Sequence, residues 1–360
     1  GGRSHRGCQC LLWHSIVVAC AFGLLFSAAV ILGGPWLYRI MGGSGAALEA
    51  ALLYSAVVFA GSVPIWLTAL LSAALRGSGN MQVPALVTLA GFAILLPLSP
   101  LLIFGWGPVP ALGVAGGGVA IVVYYLLAVA ALIAYLRSPR SLLTLRIVPL
   151  QGRLFRDILG VGLLSALGSV QLNLTVVFVT AAVGLFGADA IAGYGIASRL
   201  DYLQIPILFG IGTALLTMVG VNIGAGQVAR ARRIAWTGAA VSFAVTQLIG
   251  LAALLFPHAW IGLFTDVPEV HETAALYIRH VAPAYGAVGL GLALYFASQG
   301  AGRVLFPVLA GSARMVIAAF IGWVAVAWYG VSLSTLFLIV AFAGVAYGGL
   351  VAAAMALGPF

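Results

Sequence analysis

The chain has 360 residues, of which 63% are hydrophobic and 6% are charged, with a formal net charge of +9 at pH 7. Soluble domains carry about 25% charged residues, so this composition excludes an ordinary soluble protein. All 16 basic residues are arginine. Because most of them lie between apolar stretches, we interpret them as determinants of membrane topology and expect contact with membrane lipid, not with nucleic acid.

The apolar stretches mostly exceed the roughly 20 residues that a helix needs to cross a bilayer. The strands of a membrane barrel would instead alternate between apolar and polar residues. The sequence therefore predicts an all-α fold, a polytopic helical membrane protein. Ten spans are predicted, at about 12–34, 47–75, 82–106, 111–136, 155–184, 189–223, 232–256, 267–299, 304–329 and 332–357.

A ten-residue polar turn occurs twice, at residues 75–84 and again at residues 298–307. Its two glycines and its proline recur at one constant offset of 223 residues, and Tyr54 is separated from Tyr277 by the same interval. A constant offset indicates an internal duplication. The matching pairs in the turn are Gly77 with Gly300, Gly79 with Gly302, and Pro84 with Pro307.

The duplication predicts two lobes of unequal length. Residues 1–137 hold four spans, residues 138–155 form a cytoplasmic linker, and residues 156–360 hold six spans. By the same offset Gly1 aligns with Gly224, roughly 68 residues into the second copy. We therefore expect a duplicated pair of six-helix bundles from which the first two of twelve helices are missing at the amino terminus.

The arginines are distributed unequally between the two sets of loops. Twelve lie in loops on the amino-terminal side of the membrane, and only Arg39 lies in the opposite loops. Positively charged loops stay in the cytoplasm, so both ends of this chain are predicted to be cytoplasmic. Three prolines, Pro64, Pro206 and Pro283, are predicted to kink helices, and the first and third occupy matching helices of the two copies.

Asp201 is the acidic residue predicted to lie well inside a span. A charge in a bilayer costs a few kcal/mol or more unless it is paired or hydrated, so such a residue is a candidate functional site. Asp201 could bind a coupling ion or substrate, or it could belong to a structural ion pair. Its hydrogen-bond donor could be Gln204, three residues away, or a side chain of a facing helix.

Six further residues are candidates for contact with an ion or a substrate. Gln171 and Asn173 could line a cavity or bridge helices. Tyr194, Tyr202 and Tyr54 could stack on a cationic compound or anchor the chain at the interface. Arg199 lies two residues from Asp201 and is predicted to face another side of the helix.

The sequence contains no motif for catalysis. It has no Walker A sequence, no HExxH and no GxSxG, so we predict no enzymatic activity, no catalytic residue and no cofactor. Cys8 and Cys10 form a CxC pair, which on its own is a weak metal signal, and we interpret the cysteines as incidental thiols.

Four segments, taken together, resemble the multidrug and toxic compound extrusion (MATE) transporters. Residues 75–84 are similar to the family's LRGxGDxxxP turn, and residues 111–116 resemble its GVxG helix start. Residues 192–201 and 219–227 resemble the beginning and the end of its eighth helix. The resemblance covers nearly the whole chain as helices three to twelve.

The resemblance implies two six-helix lobes and exchange of a proton or sodium ion for an organic, often cationic, compound. It also implies a bacterial inner-membrane location, and we expect a monomer. The chain departs from sodium-coupled relatives because residues 170–173 and 288–289 lack the acids that those relatives carry. Two alternatives stay open: a lipid-linked sugar flippase of the wider superfamily, and a fragment without function.

Overall fold

The structure is a computed structural model that describes residues 2–40, 45–106, 110–143, 145 and 147–357. Some residues that were used in the predictions above lie outside the described residues: Gly1, Arg146 and the side chains of Arg3, Arg6, Cys8 and Cys10. The helices are α1 (Gly2–Ile40), α2 (Gly45–Ala60), α3 (Ser62–Gly77), α4 (Gln82–Phe104), α5 (Val114–Leu136), α6 (Gly152–Gly184), α7 (Ala188–Gly224), α8 (Val228–Leu255), α9 (Pro257–Ile261), α10 (Pro268–Val281), α11 (Tyr285–Gly300), α12 (Leu305–Met315), α13 (Gly322–Tyr329) and α14 (Leu333–Leu357).

The described residues contain nine helical segments long and apolar enough to cross a membrane, or ten when the bent pair α2–α3 counts as one span. The prediction of an all-α, polytopic membrane protein with ten spans is confirmed. Three spans are not single regular helices. The pair α2–α3 bends, α10 joins α11 through a 3₁₀ turn, and α12 joins α13 through a π-helical segment at Val316–Ile321.

The chain divides into two compact units, residues 1–158 and residues 159–360. In the first unit α1 packs on α3, α4 on α5, and α2 on α5. In the second unit α8 packs on α11, α12 on α14, and α10 on α14. These three pairs correspond through the offset that the sequence contains, so each unit repeats the same packing scheme.

Helix boundaries follow the same offset. The helices α3 and α11 end at Gly77 and Gly300, and α4 and α12 begin at Gln82 and Leu305. Both pairs of boundaries are 223 positions apart. The two copies of the turn therefore match in sequence and also in the residues at which one helix ends and the next begins.

Two of the three predicted proline kinks are present. Near Pro64 the axes of α2 and α3 differ by 47°, and Pro283 lies in the 3₁₀ turn between α10 and α11. Pro206 instead lies inside the continuous helix α7. At the second break the Gln247 side chain accepts a hydrogen bond from the Gly286 amide at 3.1 Å, which satisfies a backbone group where lipid offers no partner.

The polar turn occurs three times in the structure, although the sequence analysis found only two copies. Gly79, Gly302 and Gly226 have φ of 90°, 71° and 74°, in the left-handed region that glycine enters at little cost. In each copy the next residue's amide donates to the carbonyl five residues earlier, which closes the helix end as a Schellman motif. These bonds are Asn80 to Leu75 at 2.9 Å, Arg303 to Ser298 at 2.8 Å, and Gln227 to Asn222 at 2.8 Å.

The segment that leads into α6 packs on α1. The Gln151 amide donates to Nε2 of His14 at 2.7 Å, and the His14 ring lies 4.9 Å from the ring of Phe155. His14 is fully buried. The predicted linker at residues 138–155 is thus attached to the first unit, and α6 begins within it at Gly152.

The third turn offers a matched test of backbone strain. We expect Gly226→Ala to lower the free energy of unfolding by about 1–2 kcal/mol, because alanine is disfavoured in the left-handed region. Gly224→Ala, in the last helical position of the same turn, should have little effect, because a β-carbon there meets open space. Thermal unfolding of the detergent-purified variants measures both, and equal losses would contradict the assignment of strain to Gly226.

Candidate functional site

Three aromatic rings form a contact layer inside the second unit. Tyr194 of α7 lies 5.3 Å from Tyr277 of α10 and 6.4 Å from Phe337 of α14, and Tyr277 lies 5.1 Å from Phe337. All three side chains are buried. The layer therefore joins α7, α10 and α14 around one point of the helix bundle.

A glycine allows α7 and α10 to approach this closely. A β-carbon added at Gly193 would lie 2.6 Å from the Val270 carbonyl oxygen and 2.7 Å from the β-carbon of Thr273. Small residues at helix contacts let backbones meet in membrane proteins, where packing drives association. The close approach places the α10 side chains within reach of polar groups on α7.

Asp201 accepts a hydrogen bond from a facing helix. The Tyr277 hydroxyl donates to Oδ2 of Asp201 at 2.6 Å. The predicted alternative, donation from Gln204, is wrong, because the Gln204 amide donates to the Leu200 carbonyl of its own helix at 3.3 Å. The donor on α10 lies 76 residues away in sequence, so spacing along α7 could not reveal it.

Two buried polar atoms lie beside this hydrogen bond. They are Oδ1 of Asp201 and the hydroxyl of Tyr285, and although neither makes a hydrogen bond of good geometry, the two groups interact as hydrogen-bond partners. A carboxylate can only accept hydrogen bonds, whereas a protonated carboxyl group can also donate one. The Tyr285 hydroxyl can donate to Oδ1 of the carboxylate, and a proton on Oδ1 would let the carboxyl group donate to that hydroxyl instead.

Arg314 of α12 exerts a cationic influence on Asp201. Its guanidinium lies 5.7 Å from the ring centre of Tyr347, and within the described residues it forms no ion pair with the carboxylate. Asp201 is thus held by a tyrosine hydroxyl rather than by the structural ion pair that the sequence analysis kept as an alternative.

The amide candidates lie on α6. Gln171 donates from Nε2 to the Ser312 hydroxyl of α12 at 2.6 Å, while its Oε1 is buried without a partner. Asn173 is exposed and donates to the Ser169 carbonyl of its own helix at 2.8 Å. Gln171 therefore bridges two helices, and Asn173 leaves its carbonyl oxygen accessible.

The remaining candidates do not join the Asp201 cluster. Tyr202 is 55% exposed, and the guanidinium of Arg199 lies 4.7 Å above the ring of Phe264. Tyr54 belongs to the first unit, where it lies close to Gly117 and Gly118 of α5.

Of the predicted candidates, the structure brings together Asp201 and Tyr194. The sequence analysis missed Tyr285 and Phe337 as members of the cluster and used Tyr277 only as a marker of the repeat. The sequence did contain a signal for the missed tyrosines, because they lie in a predicted span that also contains acidic residues. Among the described residues no group of three or more histidine, cysteine, aspartate or glutamate side chains could hold a metal ion.

The hydrogen bond between Tyr277 and Asp201 can be tested through stability. We expect Tyr277→Phe to lower the free energy of unfolding by about 1.5–3 kcal/mol, because it removes a buried hydrogen bond to a carboxyl group. Tyr202→Phe is the matched control, since its hydroxyl is on an exposed residue, and should change stability by less than about 0.5 kcal/mol. Similar melting temperatures for both variants would contradict the bond.

Solved structures share this fold. A MOP superfamily transporter from Pyrococcus furiosus aligns with a TM-score of 0.88 at 20% identity, over 97% of this chain and 78% of that one. A multidrug resistance MATE family transporter in its outward-facing conformation aligns with a TM-score of 0.86 at 20% identity, over 96% and 77% of the two chains. At these identities the likeness concerns the fold alone.

This chain covers a smaller part of the length of its sequence relatives. The chain is 26% identical over 311 residues to "Probable multidrug resistance protein NorM" of Thermotoga maritima, covering 86% of this chain and 67% of that protein. It is 24% identical over 284 residues to "FAD transporter" of Shewanella oneidensis, covering 78% and 63%. For "Probable multidrug resistance protein YoeA" of Bacillus subtilis the identity is 23%, over 73% of this chain and 56% of the relative.

The MatE family model matches residues 1–101 and 165–324. The match covers most of the chain, including α1 to α3 and the helices α7, α10 and α11 that carry Asp201, Tyr277 and Tyr285. It agrees with the motifs at residues 75–84 and 192–201 and with the packing that both units share. The chain is a multi-pass membrane protein, not an enzyme, and it belongs to the MATE family of transporters.

Proposed function

We propose that this chain acts in a secondary antiporter that exports organic, often cationic, compounds in exchange for protons. The observation that carries the proposal is the carboxyl group of Asp201, held by Tyr277 inside a membrane-spanning bundle with its second oxygen atom buried beside the Tyr285 hydroxyl. The names of two relatives, which describe multidrug resistance proteins, support the class of exported compound.

Asp201 is better suited to a small coupling ion than to an organic compound. Its Oδ1 is buried, and the rings of Tyr194, Tyr277 and Phe337 pack against one another beside it. A proton can reach an atom in such a site by exchange along hydroxyl groups, whereas a drug-sized molecule needs a cleft that buries most of its surface. The substrate is therefore expected to bind elsewhere and to respond to the charge of Asp201.

Within this proposal the coupling ion is a proton. Protonation of Oδ1 removes a buried charge, and the Tyr285 hydroxyl can pair with this oxygen atom in both states, as donor to the carboxylate or as acceptor from the protonated acid. A sodium ion would need several oxygen ligands. The cluster supplies one carboxyl group and the hydroxyls of Tyr277 and Tyr285, so sodium is the second candidate. The efflux experiment below distinguishes the two ions.

The membrane potential can drive this exchange without ATP. About 100 mV supplies roughly 2.3 kcal/mol for each charge moved. Since about 1.4 kcal/mol corresponds to a tenfold change in concentration ratio, one charge supports a gradient of about fiftyfold.

A flippase for lipid-linked sugars has less support. Such a function requires arginines that converge on a pyrophosphate group. Arg199 of α7 instead lies on Phe264, and Arg314 lies beside Tyr347 between α12 and α14. We further propose a bacterial inner-membrane location, cytoplasmic ends of this chain and a monomeric state, with the topology resting on the distribution of arginines.

Replacement of Asp201 tests the coupling role. Asparagine can accept from Tyr277 through its oxygen atom and donate to Tyr285 through its amide group, so Asp201→Asn imitates the protonated acid. We expect this variant to keep the parent's melting temperature within a few degrees and to lose proton-driven efflux of ethidium or tetraphenylphosphonium. Efflux is followed by fluorescence or isotope release in energised inverted vesicles.

The matched control is Asp157→Asn, an exposed acid at the start of α6, which should leave efflux unchanged. Full efflux by Asp201→Asn would reject the coupling role, and unfolding of that variant would support a structural one. Efflux driven by a sodium gradient after the proton gradient is abolished would replace the proton by sodium. Transport of a flavin nucleotide but of no organic cation would reject the proposed substrate class.

The topology has its own test. In a background without native cysteines, we expect Ser78→Cys and Ala301→Cys, in two of the repeated turns, to react with a membrane-impermeant maleimide only in inverted vesicles. Asp266→Cys, in the loop before α10, should react only in right-side-out vesicles, because an odd number of spans separates it from either turn. Labelling of all three positions from one side would contradict the proposed topology.

A further inference from the structure

A pair of histidines lies apart from the Asp201 cluster, where α9 meets α10. Nδ1 of His258 and Nε2 of His271 are 3.3 Å apart, and the two rings are stacked with their centres 4.8 Å apart. His258 is exposed and His271 is partly exposed. Neither residue contributes to the function proposed above.

The backbone around His258 is fixed on both sides. Pro257 begins α9 and is buried, and Ile261 is fully buried in the core of the second unit. The indole nitrogen of Trp260 donates to the Ile196 carbonyl of α7 at 3.2 Å. This short helix therefore has a defined position, from which the His258 side chain projects outward.

The backbone around His271 is equally well supported. Val270 and Ala274 are buried on the inner side of α10. The Val267 amide donates to the Thr265 hydroxyl at 3.1 Å, which orders the loop before the helix, and the His271 amide donates to the Val267 carbonyl at 3.0 Å. Two imidazoles are thus held next to each other by separate rigid segments.

The spacing of the two nitrogen atoms, which is also that of a hydrogen bond between the rings, fits one metal ion. Nitrogen ligands about 2.0–2.1 Å from a tetrahedral ion lie about 3.3 Å from each other. Because the rings are accessible, rotation about their side-chain bonds can direct both lone pairs toward the same ion. Imidazole is the commonest protein ligand for such ions.

Local charge favours a cation at this position. Asp266, Glu269 and Glu272 fall within seven residues of sequence around His271, in a chain that has only 7 acidic residues. Carboxylates on nearby surface positions raise the local concentration of cations. A divalent ion therefore meets less repulsion here than the net charge of +9 of the whole chain implies.

We propose that His258 and His271 form a binding site for a divalent transition-metal ion such as Zn²⁺, with water completing the coordination. No third protein ligand is required, so the site is open and exchangeable, unlike a closed structural zinc site. A bound ion would link α9 to α10 and so connect the end of α8 to the span that carries Tyr277. Under the proposed topology the ion would come from outside the cell.

Titration with zinc tests the proposal. The measurements use detergent-purified, untagged chain carrying Cys8→Ser, Cys10→Ser and Cys20→Ser, which removes competing thiol ligands. We expect calorimetry to show one Zn²⁺ per chain and the melting temperature to rise on addition of Zn²⁺. His258→Gln or His271→Gln should weaken binding by about tenfold or more, because each ligand raises the effective concentration of the other.

His280→Gln is the matched control, because His280 contacts Ser334 and the Leu276 carbonyl instead, and it should leave zinc affinity unchanged. Without metal, the His258→Gln and His271→Gln variants should have the same melting temperature as the parent. With Cu²⁺ as a second probe, electron paramagnetic resonance should show two imidazole nitrogens in the parent and one in each single variant. Affinity within twofold of the parent in both single variants, equal weakening by His280→Gln, or no binding of Zn²⁺ by the parent would overturn the proposal.

Discussion

The close contact between α7 and α10 is the constraint on which the candidate site depends. Gly193 has no side chain where α10 passes, so the two helices meet at van der Waals distance, and the Tyr277 hydroxyl reaches Asp201. In lipid an acidic side chain without such a donor would be costly to keep buried. The site is therefore a consequence of helix packing as much as of the acid itself.

Backbone groups at helix ends and breaks obtain their hydrogen bonds from partners that are close in the structure. Each of the three repeated turns ends its helix with a glycine in the left-handed region, which allows two amides to bond carbonyls of the last helical turn. At the break between α10 and α11, Gln247 accepts from the backbone instead. The turns thus close the helix ends, and the bond from Gln247 lets a span bend without leaving an amide unpaired in lipid, which supplies no hydrogen bonds.

The two units share a packing scheme but differ in what the corresponding residues do. Tyr54 and Tyr277 occupy equivalent positions of the repeat. Tyr54 lies against the glycines of α5, whereas Tyr277 donates to Asp201 and packs on Phe337. Duplication has thus preserved the helix frame, and the polar chemistry described here belongs to the second unit.

Much of the fold could be predicted from the sequence, because the requirements of a bilayer leave recognisable patterns in a chain. Long apolar stretches predicted the spans, the constant offset predicted matching helix ends, and Pro64 and Pro283 predicted breaks where the structure has them. The motifs indicated the family. Each of these signals is local or periodic, so it needs no knowledge of which helix faces which.

The tertiary structure decided what contacts what. Only packing could show that Tyr277 rather than Gln204 donates to Asp201, that Tyr285 lies beside it, or that Gln171 bridges to Ser312. His258 and His271 carry no motif, and they meet because α9 turns back onto α10. Hydropathy determines that a helix crosses the membrane but not its rotation about its own axis, which is set by the interlocking of side chains between helices.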